Sequence, residues 1–178
     1  IIAPGPSWGG EIDVEFPSTR QYAWQQYFGD PTIGVGLVYM NLGAEVLGNC
    51  VAVYPYFLLH MIALPHFQFN WKCGFGMSFF NKYYWNCDTV MDHYYTPQAN
   101  PLIGSVLNVY LNTGLNVNFP IRDGWAVNAE FGFSHMSNGS TIKPNMGINM
   151  LYGSVGASYT INDHGYKGGK KEKTFPDL

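Results

Sequence analysis

The chain has 178 residues, room for one domain, and a formal net charge of −3 that makes no general case for a nucleic-acid partner. Charged residues are only 12% against about 25% in an ordinary soluble domain, and aromatics reach 17%. No stretch approaches the roughly 20 consecutive apolar residues of a transmembrane helix, which leaves membrane-crossing strands open, since their signal is much weaker.

With so few charges and a mean hydropathy near zero, the polarity comes from Asn, Ser, Thr, Gln, Gly and Tyr. That suits strands with one apolar and one neutral polar face. The opening run Ile1-Ile-Ala-Pro-Gly5 lacks the basic start of a secretory signal. For an exported chain the expectation is a signal already removed or lying upstream. From Gly10 to Phe16, Ile12, Val14 and Phe16 alternate with Glu11, Asp13 and Glu15. Side chains of a strand point to opposite faces in turn, so this reads as a strand. The one helical candidate, around Arg20 to Phe28, is confined by Pro17 and Pro31.

Ile33 to Met40 sets Ile33, Val35, Leu37 and Tyr39 against Gly34, Gly36, Val38 and Met40. Cys50 to about Met61 is apolar on both faces and reads as a strand on length and aromatic content. Phe67 to Phe79 places Phe67, Phe69, Trp71, Cys73, Phe75, Met77 and Phe79 opposite Gln68, Asn70, Lys72, Gly74, Gly76 and Ser78. Val106 to Phe119 sets Leu107, Val109, Leu111, Leu115 and Val117 against Asn108, Asn112, Asn116 and Asn118. Trp125 to Asn138 carries Trp125, Val127, Ala129, Phe131, Phe133, His135 and Ser137 on one face. Asn149 to Ile161 closes the series.

These seven strands include several of 12 or more residues, long against the roughly 5–6 of soluble strands. Turns at Ala63–His66 and Pro120–Gly124 are short, whereas the segments from Asn81 to about Leu102 and from Asn138 to about Asn149 are long. Short turns on one side and long loops on the other is the outer-membrane arrangement. The expectation is an all-β, antiparallel, up-and-down outer-membrane β-barrel over residues 1–162. An even strand number is usual, so an eighth strand is expected before Gly10 or upstream of residue 1. The long segment from Pro17 to Pro31 falls on the short-turn side and has no explanation at this level. A soluble barrel with its apolar face turned inward around a ligand is the alternative. It would expose Asn108, Asn112, Asn116 and Asn118, where soluble exteriors carry Lys and Glu.

From Asp163 onward, residues 163–178 read as a basic, Gly- and Lys-rich tail or linker. The absence of a terminal aromatic after the last strand suggests that residue 178 is not the biological end. The three cysteines, Cys50, Cys73 and Cys87, do not suggest a disulfide framework, although Cys50 and Cys87 are placed to pair across loops.

The motif strand ends its apolar face in His135 and Ser137, two apart and therefore on one side. Asn138 and Gly139 follow where the chain leaves the strand. Nucleophile, base and nearby amide donors are the parts that acyl-ester hydrolysis requires. His-x-Ser-Asn alone is a weak signal; its place at the loop end of a lipid-facing strand strengthens it.

His135-Met-Ser-Asn138, followed by Lys143-Pro-Asn-Met-Gly-Ile-Asn149, resembles the lipid A 3-O-deacylase (PagL) family, also described as acyloxyacyl hydrolases. Gly34 to Tyr39, in the pattern Gly-x-Gly-Leu-x-Tyr, resembles its Bacteroidetes branch. The likeness covers roughly residues 32–162. It implies an eight-stranded outer-membrane barrel that removes an ester-linked acyl chain from lipid A or a related lipid, with the site toward the outer leaflet. On this resemblance Ser137 is the nucleophile and His135 the general base. Asn138 helps form the oxyanion hole, and Asn145 and Gly147 shape the loop over the site; Gly139, on the residues alone, adds a flexible backbone N–H. No metal or cofactor is implied.

The family's triad acid is a Glu, and this chain has Asn149 at that position. An Asn can orient a neutral imidazole but cannot stabilise an imidazolium by charge. Asp88 and Asp92, in a long outer loop, are alternative acids; Glu130 faces the lumen. The missing acid also admits a catalytically inactive barrel, a structural or docking subunit with an outer-membrane protein partner. His60, His66 and His93 have no Cys or acid at metal-ligand spacing. Trp24, Trp71 and Trp85 suit interfacial aromatic belts.

Overall fold

The computed structural model describes residues 5–19, 21–86, 100 and 102–161. Within them seven strands follow one another in space in chain order: β1 Trp8–Phe16, β2 Thr32–Asn41, β3 Asn49–Leu64, β4 Phe67–Phe80, β5 Leu107–Arg122, β6 Trp125–Ser137 and β7 Ile148–Tyr159. Every neighbouring pair is antiparallel. The strands run from 9 to 16 residues, enough to cross a bilayer at about 9–11 residues each. Each strand expected from the alternation is present, with its ends moved by a few residues. No strand precedes Trp8 among the described residues, and β1 and β7 are the two edges of the sheet. The eighth strand is thus not among them. Cys87, Asp88, Asp92, His93 and the 163–178 tail lie outside the described residues.

The wall is inside-out relative to a soluble barrel. Ile12, Leu37, Val53, Phe75, Leu115, Phe131 and Val155 point outward and are exposed. Asn70, Lys72, Ser78, Asn108, Asn112 and Ser134 point inward and are buried. Water does not stabilise that distribution, whereas a hydrocarbon surround does.

Contacts across the lumen show that the sheet curls. Lys72 Nζ on β4 reaches Glu11 Oε1 on β1 at 2.9 Å, Asp13 Oδ2 at 3.4 Å and Glu130 Oε2 on β6 at 3.8 Å. Along a flat sheet β1 and β4 would stand roughly 14 Å apart, with side chains projecting in parallel. The Tyr54 hydroxyl donates to Glu11, and that of Tyr56 donates to Glu15 at 2.9 Å. Lumen glycines make room for these rings: a Cβ on Gly34 would meet Tyr56 Cζ at 2.2 Å, and one on Gly74 would meet Tyr54 Cδ2 at 2.4 Å.

The two rims differ. Asp123 (φ 52°) and Gly124 (φ 82°) form a two-residue hairpin loop of the type that Asp-Gly favours, because both positions need positive φ. On the same rim, the long Pro17–Pro31 segment folds a helical turn of its own, α1 Ala23–Tyr27. That turn buries Gln25 and leaves Tyr27 and Phe28 exposed. The opposite rim carries the loops that follow β4 and β6, and there β6 delivers His135 and Ser137.

Candidate active site

Strand register builds the site. His135 stands directly opposite Asn149, the second residue of β7. Facing residues on antiparallel strands have Cβ atoms about 4.5–5.5 Å apart. Ser137 lies two residues along the same face. His135 Nδ1 is 2.7 Å from Asn149 Oδ1, and Nε2 is 3.0 Å from Ser137 Oγ. An amide oxygen only accepts, so the ring proton sits on Nδ1. Nε2 then offers its lone pair to the Ser137 hydroxyl, the tautomer that proton abstraction requires. Leu111, Phe133 and Leu151 share this outward face and are exposed beside the array.

Gly147 closes over the pair with φ 73°; a Cβ there would come within 3.1 Å of His135 Cε1 and 3.4 Å of Ser137 Cβ. Only a residue without a side chain fits both the space and the backbone. Its N–H and that of Met146 both donate to the Leu102 carbonyl, at 3.1 and 3.0 Å. The turn after Ser137 has Gly139 and Ser140 at φ 63°. Asn138 donates its side-chain N–H groups to Ser105 Oγ at 2.8 Å and to the Ile142 carbonyl at 2.9 Å. Its backbone N–H goes to Asn145 Oδ1 at 3.2 Å.

The residues singled out in the sequence therefore divide. Ser137, His135 and Asn149 form one hydrogen-bonded array, with Asn138, Gly139, Asn145 and Gly147 in the loop around it. Glu130 stays in the lumen, bonded to Tyr152 at 2.5 Å and Asn116 at 3.4 Å. Cys50 is buried and unbridged, with Met136 Sδ 3.8 Å from its sulfur. Trp85 donates to the Lys143 carbonyl at 2.9 Å and so belongs to the loop network beside the site. Sequence reading missed Asn100 and the segment Leu102–Ser105, which meets this loop. Their only local sign was the turn-forming Asn-Pro pair at their start.

The same bonding order occurs a second time. His60 Nε2 is 3.2 Å from Thr32 Oγ1, and Nδ1 is 2.7 Å from Asn70 Oδ1. Thr32 and Asn70 are buried in the lumen. What separates the two arrays is the face: only Ser137 opens on the apolar exterior.

Fold and site together define a bilayer-embedded β-barrel with a hydroxyl–imidazole–amide array on its outer wall. The sequence profile of the lipid A 3-O-deacylase (PagL) family matches residues 8–158. The chain belongs to that family, an outer-membrane enzyme family. Its fold is similar to the crystal structure of the outer membrane enzyme PagL, with a TM-score of 0.55 at 19% identity, covering 85% of this chain and 94% of that one. No curated protein matches the chain by sequence.

Proposed function

We propose that this barrel is an ester hydrolase that removes an acyl chain from lipid A or a closely related acylated lipid, with its site toward the outer leaflet. The observation that carries the reading is the Ser137–His135–Asn149 array on the bilayer face of a chain in this family. Ser137 Oγ attacks the ester carbonyl while its proton passes to His135 Nε2. The Asn138 N–H is taken by Asn145 Oδ1, so the backbone N–H of Gly139, next in the turn, is the candidate donor for the oxyanion. Collapse of the intermediate expels the sugar oxygen, which takes the proton back from Nε2. Water, activated by the same imidazole, then releases the fatty acid from Ser137. An array that opens on hydrocarbon lets the acyl chain stay in the bilayer throughout.

Asn149 favours one second reading, a barrel that retains the array but does not turn over and serves as a structural or docking subunit. Mass spectrometry of lipid A from cells expressing the chain, beside Ser137→Ala at equal barrel levels, separates the two. Loss of one ester-linked chain only with Ser137 present supports the hydrolase. Identical lipid A in both, including lipid A of the source organism, supports the inactive barrel.

A further inference from the structure

The geometry points to Ser105 as a positioning residue for the Ser137–His135 pair, acting through Asn138; this rests on the hydrolase reading above. Ser105 lies just before β5 and is 8% exposed. Its Oγ donates to the Leu107 carbonyl at 2.9 Å and accepts from Asn138 Nδ2 at 2.8 Å. Its own carbonyl accepts from Asn108 Nδ2 at 2.8 Å. The bonds run one way, from the Asn138 amide through the Ser105 hydroxyl to the first residue of β5.

The direction is enforced. The Ile142 carbonyl, which takes the other Asn138 bond at 2.9 Å, can only accept. The NH₂ side of the amide must therefore face both Ile142 and Ser105. A flipped amide would set its oxygen against the Ile142 oxygen. With both side-chain N–H groups committed, Asn138 acts here as a tie that fixes the turn next to the nucleophile. Its backbone N–H on Asn145 Oδ1 adds a third point of attachment.

The other end of the tie is held by backbone contacts. Asn100 Oδ1 accepts from the N–H groups of Leu102 and Ile103 at 3.0 and 3.2 Å, and Asn100 Nδ2 donates to the Lys82 carbonyl at 2.9 Å. The Ile103 carbonyl accepts from Tyr84 N–H at 2.9 Å, and its side chain is fully buried. Leu102 in turn holds Met146 and Gly147. The segment Leu102–Ser105 thus grips both sides of the catalytic pair: Asn138 through Ser105, and Gly147 through Leu102. A Cβ on Gly104 would meet the Pro144 oxygen at 2.5 Å and the Ile142 oxygen at 2.6 Å, so the two loops are in close contact. Proton transfer from Ser137 to His135 depends on sub-ångström placement. Removing one hydroxyl from the tie lets the turn drift without touching the reacting groups.

The test uses the full chain purified in detergent, with lipid A in mixed micelles as substrate. Ser105→Ala, Ser105→Thr, Asn138→Ala, the Ser105→Ala/Asn138→Ala double variant and Ser137→Ala are compared. Ser105→Ala is expected to lower kcat on the order of 10- to 100-fold, with KM changed by less than about twofold and thermal unfolding close to that of the parent. Ser105→Thr keeps the hydroxyl and restores most of kcat. The double variant is no worse than the poorer single variant, because both remove one tie. A parental kcat in Ser105→Ala beside a dead Ser137→Ala overturns the inference and leaves the hydrolase reading standing. So does a loss that only tracks the folded fraction and is not rescued by Thr. Turnover that survives in Ser137→Ala overturns the hydrolase reading and this inference with it.

Discussion

Replacing Asn149 by Asp tests the central chemistry most directly. Asp has the shape of Asn, so a carboxylate oxygen takes the place of Oδ1, 2.7 Å from His135 Nδ1, without repacking. A hydrogen bond between neutral groups is worth about 0.5–1.5 kcal/mol, and one to a charged group about 1.5–3 kcal/mol. The gain applies when the imidazole becomes charged, as Ser137 attacks. About 1–1.5 kcal/mol of extra transition-state stabilisation corresponds to roughly a 5- to 15-fold higher kcat. The exposure of Asn149 keeps the expectation at this modest level, since solvent screens the new charge. A carboxylate also has no wrong way round, whereas an amide turned over would present a donor to Nδ1 and hold the unproductive tautomer. The assay is release of fatty acid from lipid A in mixed micelles by equal amounts of folded parent and variant. A variant no faster than the parent would refute the assignment of Asn149 as the partner that orients His135. A silent parent with an active Asn149→Asp variant would instead establish the inactive-barrel reading.

Two further outcomes follow from the lumen. Lys72→Met leaves Glu11, Asp13 and Glu130 without their shared cation and is expected to destabilise the barrel by about 3–5 kcal/mol. Thermal unfolding in detergent reads this, and an unchanged transition would show that the network does not hold the curl. His60→Leu strands Thr32 Oγ1 and Asn70 Oδ1 and is expected to cost about 1–3 kcal/mol, with the kcat of the folded protein unchanged. A loss of turnover at full folding would mean that the second array takes part in the reaction.

Much of this was legible before any coordinates, and for one reason. Alternation with period two is local, and a residue's face is fixed by its parity along the strand. Ile12 against Glu11, Leu111 against Asn112 and Phe133 against Ser134 were sorted correctly by counting. The short turn at Pro120–Gly124 was likewise legible, although β5 runs on to Arg122 and only Asp123 and Gly124, both at positive φ, make the turn. A helical turn between Pro17 and Pro31 was legible too, and α1 lies within the expected Arg20–Phe28 stretch; that it buries Gln25 was not legible.

The chain by itself determined which side chains share a face, where the strands run, and that His135, Ser137 and Asn138 close a lipid-facing strand. Only the tertiary structure decided what meets across strands and loops. The β6–β7 register sets Asn149 against His135, the curl of the sheet brings Glu11 and Glu130 to Lys72, and loop packing places Ser105 on Asn138. Those contacts join residues from 14 to 61 positions apart. Parity along one strand carries no information about the register of the next, or about the path of the loop between them.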